Sequence, residues 1–384
     1  MANTITNLVP DLYAALDTVS REQVGFIPAV ARNSTAERAA VGEAVRYPIA
    51  PVNTTTDIVP SMSIPEPTDQ TIGSDTISIT KSKCVEFGFV GETQKGLDNG
   101  PGHMTVQADM IAQAMRALTN EVEADLSAAA ALGTSRAYGT AGTTPFATNT
   151  ADIAQLRKIL IDNGAPMSDL QLVVDTAAGA NLRTLYGIST DRDWSNVPIR
   201  EQGVLSTPHG MSIRETGAVM SHTKGTGASA TTNTAGYAVG STMITLASAG
   251  TGTIVAGDVI TFAGDANKYV VAVGDADVSN GGTITLVQPG LKQAIPASAT
   301  AITVGGDYDG GVAFYRNAIQ LVTRAPALPK EGDAAIDRMM ITDPRSGLAF
   351  EVSVYGGFRK VRYELALAWG VKVTQPRHTA LLLG

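Results

Sequence analysis

The stretch from Thr105 to Leu132 constrains the fold more than any other part of the chain. Ile111, Met115, Leu118, Val122, Leu126 and Ala129 recur in steps of three and four residues. That spacing places them along one face of an α-helix. At 1.5 Å per residue the helix would run ~42 Å, long for a compact domain and suited to a spine. Gly100-Pro101-Gly102 precede it and Gly133 follows, the punctuation expected at helix ends. Asp109, Arg116, Glu121, Glu123 and Asp125 mostly occupy the remaining faces. Residues two apart on a helix point away from each other, so Glu121, Glu123 and Asp125 are expected to form a solvated acidic face rather than an acid–base pair.

Ahead of this helix the period changes from three-and-four to two. Ile77, Ile79, Lys81, Lys83, Val85, Phe87 and Phe89 alternate with Thr76, Ser78, Thr80, Ser82, Cys84, Glu86 and Gly88. This predicts one long strand. The preceding Thr/Ser-rich segment, punctuated by Pro51, Pro60, Pro65 and Pro67, is its expected partner, making residues 51–100 an extended two-stranded loop. An isolated hairpin is barely stable in water, so its apolar face and edge require a neighbour in this chain or another. Lys81 and Lys83 read equally well as lysines that block wrong edge pairing and as partners in an intersubunit salt bridge. Residues 1–50 form a leading arm, with Leu8, Leu12, Leu16 and Val19 at helical spacing over about three turns.

After the spine, Ile153, Leu156, Ile159 and Leu160 mark a helix over 152–162 that stops at Asn163-Gly164. Leu170 to Val174 is a short apolar strand. Asp175 then stands where an N-cap belongs, before a helix carrying Leu182, Leu185 and Tyr186. Residues 101–165 form one part of the chain, and this α/β run opens another over 166–220 that resumes at 307–384. Between them, 221–306 turns rich in Gly, Ala, Ser and Thr, and short strands are expected at 243–246, 259–262, 269–273, 283–287 and 301–304. No helix is required there, so the segment reads as a small inserted all-β domain. Near the end, Tyr363, Leu365, Leu367, Trp369, Val371 and Val373 define a long strand, and Asp343 to Gly347 a turn between two others.

Catalytic and metal motifs are missing from this pattern. The four histidines, His103, His209, His222 and His378, have no zinc spacing and are expected at loops or the surface. The match of residues 225–230 to a dinucleotide fingerprint follows no strand and opens no helix. Cys84, the one cysteine, reads as a small packed residue and excludes an internal disulfide framework. With 28 Lys and Arg against 36 Asp and Glu, the net charge of −8 disfavours tight binding along a phosphate backbone. The first residues lack the basic and apolar regions of a signal peptide, and no run is long and apolar enough for a membrane span. The expectation is a structural protein, not an enzyme, with no cofactor and no metal.

In their order these parts resemble one family, the tailed-bacteriophage major capsid proteins of the Hong Kong 97 type. The insertion points to the branch resembling the coat protein of short-tailed Salmonella phages. The resemblance is carried by the spine Thr105–Leu132 and by Asp169-Leu170-Gln171-Leu172-Val173-Val174-Asp175. It is also carried by Val255-Ala256-Gly257-Asp258-Val259-Ile260-Thr261-Phe262-Ala263-Gly264 and Leu365-Ala366-Leu367-Ala368-Trp369-Gly370-Val371-Lys372-Val373. It implies an α+β capsid fold with an N-terminal arm, extended β loop, spine, peripheral and axial domains, and an inserted small β-barrel-like domain. It implies hexamers and pentamers of this chain, tiled into an icosahedral shell around double-stranded DNA, assembled in a host cytoplasm with a scaffolding protein and a portal. Lys81, Lys83, Phe87, Phe89, Arg116 and Glu121 become the candidate subunit-interface residues. Lys81, Lys83 and Lys95 could in principle cross-link, but no partner group is marked, and cross-linking is not expected. Rival readings are an encapsulin-type compartment, disfavoured by the insertion, and a β-rich bacterial surface protein, which would need a signal peptide.

Overall fold

A computed structural model describes residues 24–49, 55, 57–62, 73–98, 103–188, 207–343 and 346–384. The expected arm helix over Leu8 to Val19 lies outside the described residues. The spine forms as its spacing predicts, over His103–Leu132. Ile111, Met115, Leu118, Val122 and Leu126 are all at most 2% exposed, and Ala130 and Ala131 extend the buried face.

Two sheets flank the spine. The first has six strands, in the spatial order Ala31–Ala39, Ile319–Pro326, Lys360–Val373, Ala349–Gly357 and Ala335–Thr342, with Lys81–Val90 also paired to Lys360–Val373. The inward face of Lys360–Val373 carries Leu365, Leu367 and Trp369, all fully buried in the same cluster as the spine's apolar stripe. The second sheet has eleven strands. At its centre Arg136–Gly139 and Thr379–Leu383 run parallel, Tyr308–Tyr315 runs antiparallel to Thr379–Leu383, and Leu170–Val174 follows. The helices Ala151–Asp162 and Thr176–Ile188 contribute Ile153, Leu156, Leu160 and Leu182 to the cluster around Leu172 and Leu382. Their predicted ends are in place. Gly164 takes φ +75 at the stop of the first helix, and Asp175 accepts from the Ala177 and Ala178 amides at the start of the second.

Within 221–306 the strands fall at Met243–Thr245, Val259–Phe262, Lys268–Val273, Thr283–Leu286 and Ile302–Val304. They enclose a core of their own around Ile244, Ile260, Val271, Ile284 and Ile302. The segment is nevertheless hydrogen-bonded into the larger sheet, because Lys268 and Tyr269 pair with Ala137 and Arg136.

The alternating stretch 76–89 departs from its expected form. It breaks into Gly73–Ser78 and Lys81–Val90, and each half has a different partner. Gly73–Ser78 pairs with Ala44–Ile49, so the two-stranded loop begins inside the expected arm. Lys81–Val90 pairs along its whole length with Lys360–Val373. The crossing point explains the break. Gly370 lies so close to the passing chain that a Cβ there would sit 2.1 Å from the Ser78 carbonyl oxygen. The Thr80 amide donates to the Trp369 carbonyl at 3.0 Å, tying the chain down as it changes partner.

Candidate functional site

The candidate interface residues start from strand Lys81–Val90. Its odd-numbered side chains face the spine, a consequence of period-two alternation beside a helix. Lys81 Nζ lies 2.8 Å from Asp125 Oδ1 and 3.1 Å from Glu121 Oε1, and Lys83 also pairs with Glu121. Asp125 accepts in addition from the indole Nε1 of Trp369 at 2.8 Å. One carboxylate therefore joins strand, helix and the buried indole. Asp125 and Glu121 raise the Lys81 pKa above its ordinary value against the pull of desolvation. For Glu121, burial pushes upward, but Lys83 and Lys81 outweigh it and lower the carboxyl. Both lysines and Glu121 thus have partners within the chain. Phe87 stacks on Tyr363 with ring centroids 5.3 Å apart, and Phe89 is 6% exposed. Arg116 is half-buried on the spine.

The expected solvated acidic face is not uniform. Glu121 and Asp125 fit it in part, but Glu123 is 3% exposed. Its carboxylate accepts from the amides of Gly25, Phe26 and Ile27 at 2.7, 2.6 and 2.9 Å, at the start of the short helix Phe26–Ala29. Burial pushes its pKa up, against the opposing pull of those amides. The sequence showed a helix face but not that residues 24–30 would cover it.

The base of the two-stranded loop is clasped by Asp75. Its carboxylate accepts from Lys372 Nζ and from the Tyr47 hydroxyl, both at 2.6 Å. The Lys372 bond, with that of Tyr47, brings Asp75 down to about 2. Burial and the neighbouring Asp75 push the Tyr47 phenol up. Ile77 and Ile79 pack beneath against Ala39, Val322 and Ala368. Beyond this clasp Ile58, Val59 and Met62 are 97%, 72% and 108% exposed.

Two further expectations are corrected. Cys84 is exposed rather than packed, because even-numbered positions of its strand face away from the spine. Its Sγ and the carboxylates of Glu86 and Glu364 lie within 4.8 Å of one another. Arg362 pairs with both acids and offsets one of their two charges, and burial followed by Glu364 raises the thiol pKa, so the group is a poor thiolate ligand set. His222 is 7% exposed instead of lying on a surface loop. Its Nε2 is 2.9 Å from Asp258 Oδ1, and its ring lies 5.1 Å from that of Tyr308. Asp258 also accepts from the Gly225 and Val255 amides, so it gathers the strand entering 221–306 and the turn before Val259–Phe262. His209 stays exposed, as expected.

A cleft of about 480 Å³ opens beside Tyr138, Thr143, Phe146, Asp152 and Lys268, without a histidine or cysteine in its lining. Among the described residues no helix is long and apolar enough to cross a membrane.

No protein-family model and no curated protein matches this sequence. Solved structures do. The capsid of cyanophage P-SCSP1u aligns over 95% of this chain and 89% of its own, with 13% identity and a TM-score of 0.51. A structure from Mycobacterium phage Ogopogo aligns over 95% and 93% at 12% identity and a TM-score of 0.47. A virus-like particle from Pyrococcus furiosus aligns over 98% of both chains at 9% identity and a TM-score of 0.44. The first of these, with the spine and its flanking sheets, shows that the chain has the α+β capsid fold of the Hong Kong 97 type.

Proposed function

We propose that this chain is the major capsid protein of a tailed phage, self-assembling as hexamers and pentamers into an icosahedral shell around double-stranded DNA. One observation carries this reading beyond the fold. Ile58, Val59 and Met62 stand in water beyond a loop whose base is fastened by Asp75, Tyr47 and Lys372. A chain gains nothing from holding a greasy tip away from its own core, whereas a copy laid against it covers that surface. On this reading the loop lies across a neighbouring subunit, the spine lines the wall, and the part containing 166–220 and 307–384 gathers around local symmetry axes. Residues 221–306 form the inserted unit, on the exterior or bracing neighbours. A scaffolding protein and a portal act as assembly partners. The net charge of −8 suits a wall that encloses DNA without gripping it.

The test is electron microscopy and sizing of the expressed chain, alone and with the scaffolding protein of its source phage. Closed particles of megadalton mass, protecting DNA from nuclease when made in infected cells, are expected. Particles filled with a protein cargo instead of DNA would move the assignment to an encapsulin-type compartment. A chain that stays monomeric at high concentration in both settings would refute a shell role.

A further inference from the structure

The turn joining Ala349–Gly357 to Lys360–Val373 holds a phenylalanine in solvent. Gly357 pairs with Lys360, which leaves Phe358 and Arg359 as the two turn residues. Arg359 takes φ +55 to close the turn. Phe358 is 92% exposed, and its ring lies 5.7 Å from the Arg359 guanidinium carbon.

Beside this projecting ring is a hollow of about 580 Å³, lined by Val90, Glu92, Ile336, Gly356 and Val361 among others. Val90 and Ile336 are 47% and 66% exposed. Gly356 lets the Ile336 side chain lie close over the strand, since a Cβ there would sit 2.5 Å from the mobile end of that side chain, Cδ1. Ile336 lies on Ala335–Thr342, which among the described residues pairs only with Ala349–Gly357 and so leaves its outer edge open.

One patch therefore carries both halves of a contact: a knob and a hole, and the cations Arg359 and Lys360 beside the anion Glu92. An unrelated partner would use one half and leave the other unmatched. A second copy of the chain related by a two-fold axis satisfies both together, because such a contact uses the same patch on both subunits. An aromatic side chain flanked by arginine and seated in an apolar hollow is also the composition of an interface hot spot. We propose that Phe358 of one copy seats in the hollow formed by Val90, Ile336 and Val361 of a second copy, with Arg359 or Lys360 meeting Glu92 across the contact. The inference rests on the shell reading only in requiring a second copy, and it is separate from the loop around Ile58.

The test uses full-length chains carrying Cys84→Ser to remove the exposed thiol. One chain adds Phe358→Cys and the other, with a distinguishable tag, adds Ile336→Cys. After co-assembly and mild oxidation, a mixed disulfide-linked pair is expected in excess over either like pair. In parallel, Phe358→Ser is expected to retain the parent's melting temperature while raising the concentration needed for assembly about tenfold or more. Assembled particles without the mixed pair, or with only Phe358-to-Phe358 linkage, would overturn the contact and leave the capsid reading standing. So would a Phe358→Ser variant that assembles like the parent. A parent chain that neither assembles nor cross-links would overturn both.

Discussion

Several single residues hold the chain's long-range crossings, and each makes a measurable claim. Glu123 satisfies three amides that would otherwise be buried without acceptors. Replacing it by Gln turns one acceptor into a donor facing an N–H, so Glu123→Gln is expected to cost about 1–3 kcal/mol in denaturant unfolding. Gly370 permits the chain to pass at Ser78. Gly370→Ala should force the backbone apart and cost about 1–3 kcal/mol, whereas alanine at the open Gly91, where a Cβ meets nothing, should change little. Asp75 is lowered to about 2 by Lys372 and Tyr47. The folded value lies below the unfolded one, so its contribution is present above the ordinary carboxylate range near 4 and is lost as pH falls toward 2. The protection of the Thr76 and Ile77 amides, corrected for the intrinsic exchange rate at each pH, should therefore fall in acid, and Asp75→Asn should show the lower protection already at pH 7.

At the scale of elements, the proposed shell role assigns assembly to the loop and stability to the spine. The loop tip contributes little to the fold because Ile58 and Met62 lie in water. An Ile58→Ser, Met62→Ser double variant is expected to unfold within about 0.5 kcal/mol of the parent. Its yield of closed particles should nevertheless fall sharply, as read by sizing. The spine behaves in the opposite way. Leu118 is 2% exposed within the main core, and Leu118→Ala is expected to cost about 2–5 kcal/mol, enough to reduce soluble expression before assembly is reached. Element positions were largely legible from periodicity. The helices His103–Leu132 and Ala151–Asp162, and strands such as Val259–Phe262 bounded by Gly257-Asp258 and Gly264, formed where the pattern placed them. The stretch 76–89 did not form one strand, because unbroken alternation cannot show that a chain changes partner halfway along.

For the whole molecule, the same limit governs the candidate interface. Lys81, Lys83 and Glu121 were legible as charged positions on exposed-looking faces, but their partners come from elements forty residues away or so and lie within the same chain. Trp369 marked a core strand, yet its bond to Asp125 joins residues 244 apart. His222 looked like a loop residue because two-residue strands such as Ser221–His222 leave no period to detect. What the amino-acid order determined by itself is local: which face of each element is apolar, where helices begin and stop, and the absence of any histidine or cysteine spacing suited to a metal. What only the tertiary structure decided is which surface covers which face, including the burial of Glu123 and the clasp at Asp75. The physical reason is range. Periodicity reflects steric preference over a few neighbouring residues, while coverage depends on contacts between segments hundreds of residues apart, and no local pattern encodes those.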